Sequence, residues 1–328
     1  MKVFETRILD DDIQTISEVL KEGQLGFGPN VINFEKKFAK FSNQEHNIAV
    51  NSASAAAFLI FAYLRKMYGV CDVYTPSLAF TSPAWAARHF GHNIIWVDVD
   101  DNLLFDVEDY LQVKTPNGRQ SVLMPILYGG VSGIPKLEEY FVEERDEILV
   151  VDSAHCVTPT IRGDFTFFSF HPYKPIASSD GGMIGTDNLQ AAEYFRNYRN
   201  FGRVNTGGTY DITQEGFKFY MNNLNATIAL TQLERYSYNT NQRRRAYTEY
   251  QRINLPGRLL PHDAFSSYYF ATLITEDPEV ANRWPTDKHY PLLHRTKFFD
   301  SRVTLQNTER LHKQIVNLPL YDKDLCNR

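Results

Sequence analysis

The chain has 328 residues, a formal net charge of -5 at pH 7 and a pI near 6.0, a balance that argues against a nucleic-acid-binding surface. With 43% hydrophobic and 22% charged residues it can bury an ordinary globular core, enough for a large α/β domain and a smaller second one. Cys71, Cys156 and Cys326 are odd in number and far apart, with no zinc spacing, so neither a disulfide framework nor a metal site is expected, and a reducing, cytoplasmic setting is.

In chain order, DDDIQTISEVLKE (10–22) has apolar residues at helical spacing and stops at Gly23, a C-cap. VINFEKKFAKF (31–41) repeats the pattern. The run AAAFLIFAYL at 55–64 is too short to span a bilayer and predicts a buried helix over 54–66; the opening MKVFETRILDDD has no apolar signal region, so no membrane partner is expected. Short β-branched runs predict strands at 48–50, 73–75, 94–99, 121–125 and 148–152, alternating with helices at 82–90 and 136–143. This is the signature of a mostly parallel sheet covered on both faces. FTFFSF (165–170) and GGMIGT (181–186) predict a hairpin-like strand pair, followed by a helix at 189–200. One long helix is expected from about Leu224 to Gln251, with Arg243, Arg244 and Arg245 on a solvated face. LPGRLLP (255–261) breaks it, and a strand at 267–275 opens a short α+β tail.

In an open α/β sheet, ligands sit beyond the carboxyl ends of the strands. That rule gathers four loops, VNSASA, TPSLAF, VDSAH and SFHPYK, into one cleft. Each has a plain reading alone: an N-cap at Ser52 or Ser54, a core ring at Phe80, a capping Asp152, a solvated Lys174. No GxxxxGK[ST] or GxGxxG loop occurs, so a P-loop or Rossmann nucleotide site is not expected. Together the four supply a lysine amine, an acid, an aromatic lid and a phosphate-binding helix start, which is what pyridoxal phosphate requires.

These segments resemble the DegT/StrS sugar aminotransferases, fold-type I pyridoxal-phosphate enzymes. GQLGFGPNVINFEKKFAKF, VNSASAAAF, TPSLAFTS, VVDSAH, FSFHPYK with its later DGG, GFKFYMNNLNATIALTQLERY, KHYPLLH and NLPLY follow the family's order over most of the chain. The resemblance implies a large cofactor-binding domain over 1–235 and a shortened C-terminal domain over 236–328. It makes Lys174 the Schiff-base lysine, Asp152 the partner of the ring nitrogen and His155 a neighbour of the ring hydroxyl. Phe80 would stack on the ring, and the backbone of Ala53 and Ser54 with the Ser169 hydroxyl would hold the phosphate. Lys218 would reach across a homodimer interface, and His289, Gly28 and Tyr173 would lie on the substrate side. The implied reaction carries an amino group from glutamate or glutamine, through the PLP/PMP pair, to a nucleotide-linked keto-sugar for polysaccharide or lipopolysaccharide synthesis. Ala53, Ser179, Tyr220 and Asn223 depart from the family's usual residues. A keto-sugar dehydratase on the same scaffold, in which histidine replaces the lysine, stays open beside His171, as does an idle homologue that serves as a binding partner.

Overall fold

A computed structural model of the chain describes residues 8–141, 146–277, 279–280 and 290–320. Helix α1 (Asp10–Glu22) ends on Gly23, whose φ of 74° is the left-handed cap that glycine adopts without strain. Helix α2 (Pro29–Ser42) follows, then strand β1 (His46–Val50) and helix α3 (Ala53–Tyr68). Strand β2 (Asp72–Pro76), helix α4 (Thr81–His89) and strand β3 (Asn93–Val97) repeat the alternation. Helix α5 (Val107–Val113) is absent from the sequence reading; its signal is Asp106, whose carboxylate accepts from the N–H groups of Glu108 and Asp109. Strand β4 (Ser121–Leu123), helix α6 (Pro135–Tyr140) and strands β5 (Ile148–Asp152), β6 (Phe165–Ser169) and β7 (Gly182–Thr186) complete the large sheet.

The strand order is β1-β7-β6-β5-β4-β2-β3, and only β7 runs against the others. The carboxyl ends of six strands therefore share one edge with the start of β7. Alternate side chains feed opposite cores, as a pleated strand requires. Val150, Phe167 and Ile184 pack with α3, while Leu149 and Val151 face the α5–α6 side, and Phe168 and Met183 face α2. The apolar stretch 55–64 of α3 lies almost wholly in the first of these cores.

Helix α7 (Leu189–Tyr198) and the small hairpin β8 (Arg203–Asn205) and β9 (Tyr210–Ile212) lead to α8 (Asn223–Glu234) and α9 (Tyr236–Arg252). The single helix expected over 224–251 is thus two, broken at Arg235 (φ -96°, ψ 2°). The physical reason is that the halves bury against different partners. Ala226, Ala229 and Leu233 join the α2 core, whereas Tyr247 and Tyr250 join the core under a three-stranded sheet. That sheet comprises β10 (Arg258–Leu259), β11 (Ala271–Ile274) and β12 (Ile315–Leu318), with α10 (Gln306–Gln314) leading into β12. Strand β11 starts later than expected because the N–H groups of Ser267 and Tyr269 donate instead to the carbonyls of Gly130 and Gly129, at 2.7 and 3.0 Å.

Candidate active site

Asp152 closes β5 with its side chain buried, and its Oδ1 accepts from the N–H of Ala154 at 3.0 Å. Burial pushes its carboxyl up to about 6, against the pull of the Lys174 charge. Lys174 lies in the loop that follows β6, where its own N–H donates to the His171 carbonyl at 2.8 Å. Desolvation pulls its amine down to about 7, opposed by Asp152. The two strand-end loops thus hold their titratable groups close enough to couple. Around neutral pH the pair can present a free amine beside a carboxylate, which is a nucleophile and proton carrier next to an anchor for a cation.

A ring covers the amine. The Lys174 Nζ stands 4.6 Å from the centroid of Tyr269, which also neighbours the His155 ring at 4.4 Å. His155 Nδ1 accepts from the N–H of Gly129 (3.3 Å), so its proton resides on Nε2, which donates to the Tyr290 hydroxyl at 2.8 Å. Tyr290 also neighbours Phe80, 6.1 Å between centroids, and Phe80 is 54% exposed at the start of α4. An exposed ring at a strand end is free to cover a flat ligand.

Another edge of the site is built from two helix starts. Ser52 caps α3 by accepting from the N–H of Ala55 (3.1 Å), which leaves the N–H groups of Ala53 and Ser54 without helical carbonyls. The Ser54 hydroxyl donates to that of Ser82 in the first turn of α4, at 2.8 Å. Opposite them, Gly182 opens β7 so close to α3 that an added Cβ would lie 2.6 Å from the Ala53 nitrogen. Ser169, paired with Gly182 in register, ends β6 half-buried at the same edge. A cationic ring that bears a phosphate and a carbonyl fits this donor set: a buried acid, a low-pKa amine and a helix start open to an anion.

Other expected residues lie elsewhere. Lys218 is exposed near Tyr220, and its carbonyl accepts from Asn51 Nδ2 at 3.3 Å, beside the entry to α3. Gly28 precedes α2 and packs against the side chain of Asn223, which would meet an added Cβ at 2.6 Å. Asn223 also receives the N–H of Asn30 at 2.9 Å, and so joins the starts of α2 and α8. Tyr173 is exposed and meets the His171 ring edge-on at 5.2 Å. His289 lies outside the described residues. The turn after Lys174, where Ser179 stands, is tied to α8: the Ser179 hydroxyl donates to Asn225 Oδ1 (2.5 Å) and that of Ser178 to the Asn225 carbonyl (2.8 Å).

Three contributors escape the sequence reading. Tyr290 has a signal, its place beside His289 in KHYPLLH, whereas Tyr269 sits in an unremarked SSYYF. Arg243, expected on a solvated face, is buried instead, and its guanidinium bonds the carbonyls of Ser267 and Pro175. Among the described residues, no cluster of metal-ligating side chains occurs and no helix is long and apolar enough to cross a membrane.

Residues 6–325 match the model of the DegT/DnrJ/EryC1/StrS aminotransferase family. The spore coat polysaccharide biosynthesis protein SpsC of Bacillus subtilis is 28% identical, over 95% of this chain and 90% of its own. The aminotransferase TlmJ of Streptoalloteichus hindustanus shares the fold with a TM-score of 0.87 and 25% identity, over 97% of this chain and 93% of its own. Helicobacter pylori PseC, an aminotransferase in pseudoaminic acid biosynthesis, superposes with a TM-score of 0.89 at 18% identity, over the same shares of each chain.

Proposed function

Because the chain belongs to the DegT/DnrJ/EryC1/StrS aminotransferase family, whose cofactor is pyridoxal 5'-phosphate, we propose that it moves an amino group from glutamate or glutamine to a nucleotide-linked keto-sugar. The product is an amino sugar nucleotide destined for a polysaccharide. One observation carries this reading: the Lys174 amine, held near neutrality, couples to the buried carboxyl of Asp152 in a cleft edged by two helix starts. When bound, the cofactor supplies an electron sink and a carrier for the amino group.

Asp152, ionised above about pH 6, would hold a proton on the ring nitrogen. Lys174, free of its own proton above about pH 7, would take and return a proton at Nζ. The N–H groups of Ala53 and Ser54, with the Ser169 hydroxyl, would take the phosphate. His155 would lie by the ring hydroxyl and Phe80 over the ring. We place Lys218 at the partner's site in a homodimer, and His289, Gly28 and Tyr173 on the substrate side. We divide the chain into a cofactor domain over 1–235 and a smaller domain beyond it that shapes the sugar pocket.

Titrating the cofactor-loaded protein with glutamate, then glutamine, should bleach its visible band. Nucleotide-linked keto-sugars added next should restore it and yield a product that differs only at the former ketone. A product that has lost a hydroxyl oxygen other than the ketone oxygen, with no nitrogen gained, would instead identify a dehydratase. No bleaching by any amino acid would end the aminotransferase reading.

A further inference from the structure

Helix α9 carries three consecutive arginines, and the first is unlike the others. Arg243 is 3% exposed, whereas Arg244 and Arg245 face solvent. Taking a guanidinium out of water is costly, so its place calls for a compensating role. Nη2 donates to the carbonyl of Pro175 at 2.9 Å, and Nη1 to that of Ser267 at 2.8 Å.

Both carbonyls adjoin the site. Pro175 directly follows Lys174. Ser267 is a junction: its N–H donates to the Gly130 carbonyl (2.7 Å), its Oγ accepts from the N–H of Val157 (2.8 Å), and it meets the Tyr236 hydroxyl at 2.7 Å. Two residues further is Tyr269, whose ring stands over the Lys174 amine. One planar fork therefore spans from the loop that carries the amine to the segment that covers it. A lysine in its place would offer a single point charge on a flexible stem and would not hold two carbonyls at a fixed separation.

We propose that Arg243 is a positioning residue for Lys174: its two-carbonyl clamp sets the distance between the lysine loop and the Tyr269 segment and keeps water from the amine. The inference rests on the reading of Lys174 as the reactive amine. Asp152 and His171 are the titratable neighbours that share its electrostatics, and the clamp contacts neither through the two bonds described.

The test uses the full chain without added cofactor, as Arg243→Lys and Arg243→Gln, with Tyr247→Phe as a reference on the same helix. Tyr247 donates its hydroxyl to the Leu260 carbonyl at 2.7 Å, away from the lysine loop. Amide exchange is followed across residues 170–181 and across β5 to β7, and labelling of Lys174 by an amine reagent is mapped by mass spectrometry against pH. In both Arg243 variants, exchange over 170–181 should quicken by about tenfold or more while the strands hold. The Lys174 labelling midpoint should rise by about one pH unit as water enters. Tyr247→Phe should match the unaltered chain in both respects. Unchanged exchange and an unchanged midpoint would overturn the proposal. So would loss of the whole fold in Arg243→Lys, which would make the residue one of general stability. In a separate titration of the unaltered chain with pyridoxal phosphate, failure to take it up would instead overturn the reading of Lys174, and the two experiments keep the two failures apart.

Discussion

The wall of the site formed by the large sheet carries its coupled titratable pair at strand ends, with Asp152 closing β5 and Lys174 in the loop after β6. The facing wall, residues 266–270 and Tyr290, is mainly aromatic. It is held by hydrogen bonds that cross 110 positions between Val157 and Ser267 and 135 between His155 and Tyr290. In the proposed reading the first wall supplies the reactive groups, while the second shapes their surroundings through the Tyr269 ring beside the amine and the Tyr290 hydroxyl on His155 Nε2. Changes in the first should therefore abolish chemistry, and changes in the second should only retune it.

The sharpest way to break this contrast is Lys174→Ala, for which amino transfer should fall by about a thousandfold or more with the fold intact. Circular dichroism and single-turnover product analysis would check both halves of that statement. A residual rate within tenfold of the unaltered chain would remove Lys174 from the chemistry.

Next in size is the response to pH. Both groups of the first wall change charge between pH 6 and 7: as pH rises, Asp152 gains its charge near 6 and Lys174 loses its own near 7. Cofactor capture needs the neutral amine, so its rate should rise by about tenfold from pH 6 to pH 8 and then level off. Stopped-flow absorbance at fixed cofactor concentration would follow it, and a rate that falls over this range would contradict the assigned charges.

A change in the second wall should be milder. Tyr290→Phe removes the hydroxyl that meets His155 Nε2, a net loss of about 1 kcal/mol, or about fivefold in cofactor affinity. Equilibrium titration would measure it; a loss as large as that of Lys174→Ala would erase the distinction between the walls. Least is expected of Ser179→Gly, which removes an exposed hydrogen bond to Asn225. Urea unfolding should place it within about 1 kcal/mol of the unaltered chain.

The two walls also differ in how far the sequence reveals them. The placement of Asp152 and Lys174 was legible because one ends a β-branched run and the other sits in the loop just past an aromatic one, and the strand-end rule gathers such loops at one edge. The cap on Gly23 and the pairing of β6 with β7 were legible for the same reason, since local geometry decides them. Tyr269 and Arg243 were not, because their roles arise where distant segments meet. Nothing within YNTNQRRRAYTEYQR distinguishes the buried arginine from its exposed neighbours until α9 is packed beside the lysine loop. The break at Arg235 was hidden likewise: two helical patterns ran together in sequence, and only their separate cores and the bond from Arg235 Nη2 to Asp12 Oδ2 at 2.5 Å divide them.

The central claim, that Lys174 facing Asp152 is the group that captures the cofactor, has a direct test. The chain is loaded with pyridoxal 5'-phosphate, reduced with borohydride, digested, and mapped by mass spectrometry. The account predicts a pyridoxyl group on Lys174 at close to one per chain, with the other lysines, Lys218 included, unmodified. Stable modification of a different lysine, or none in a protein that binds the cofactor, would contradict it.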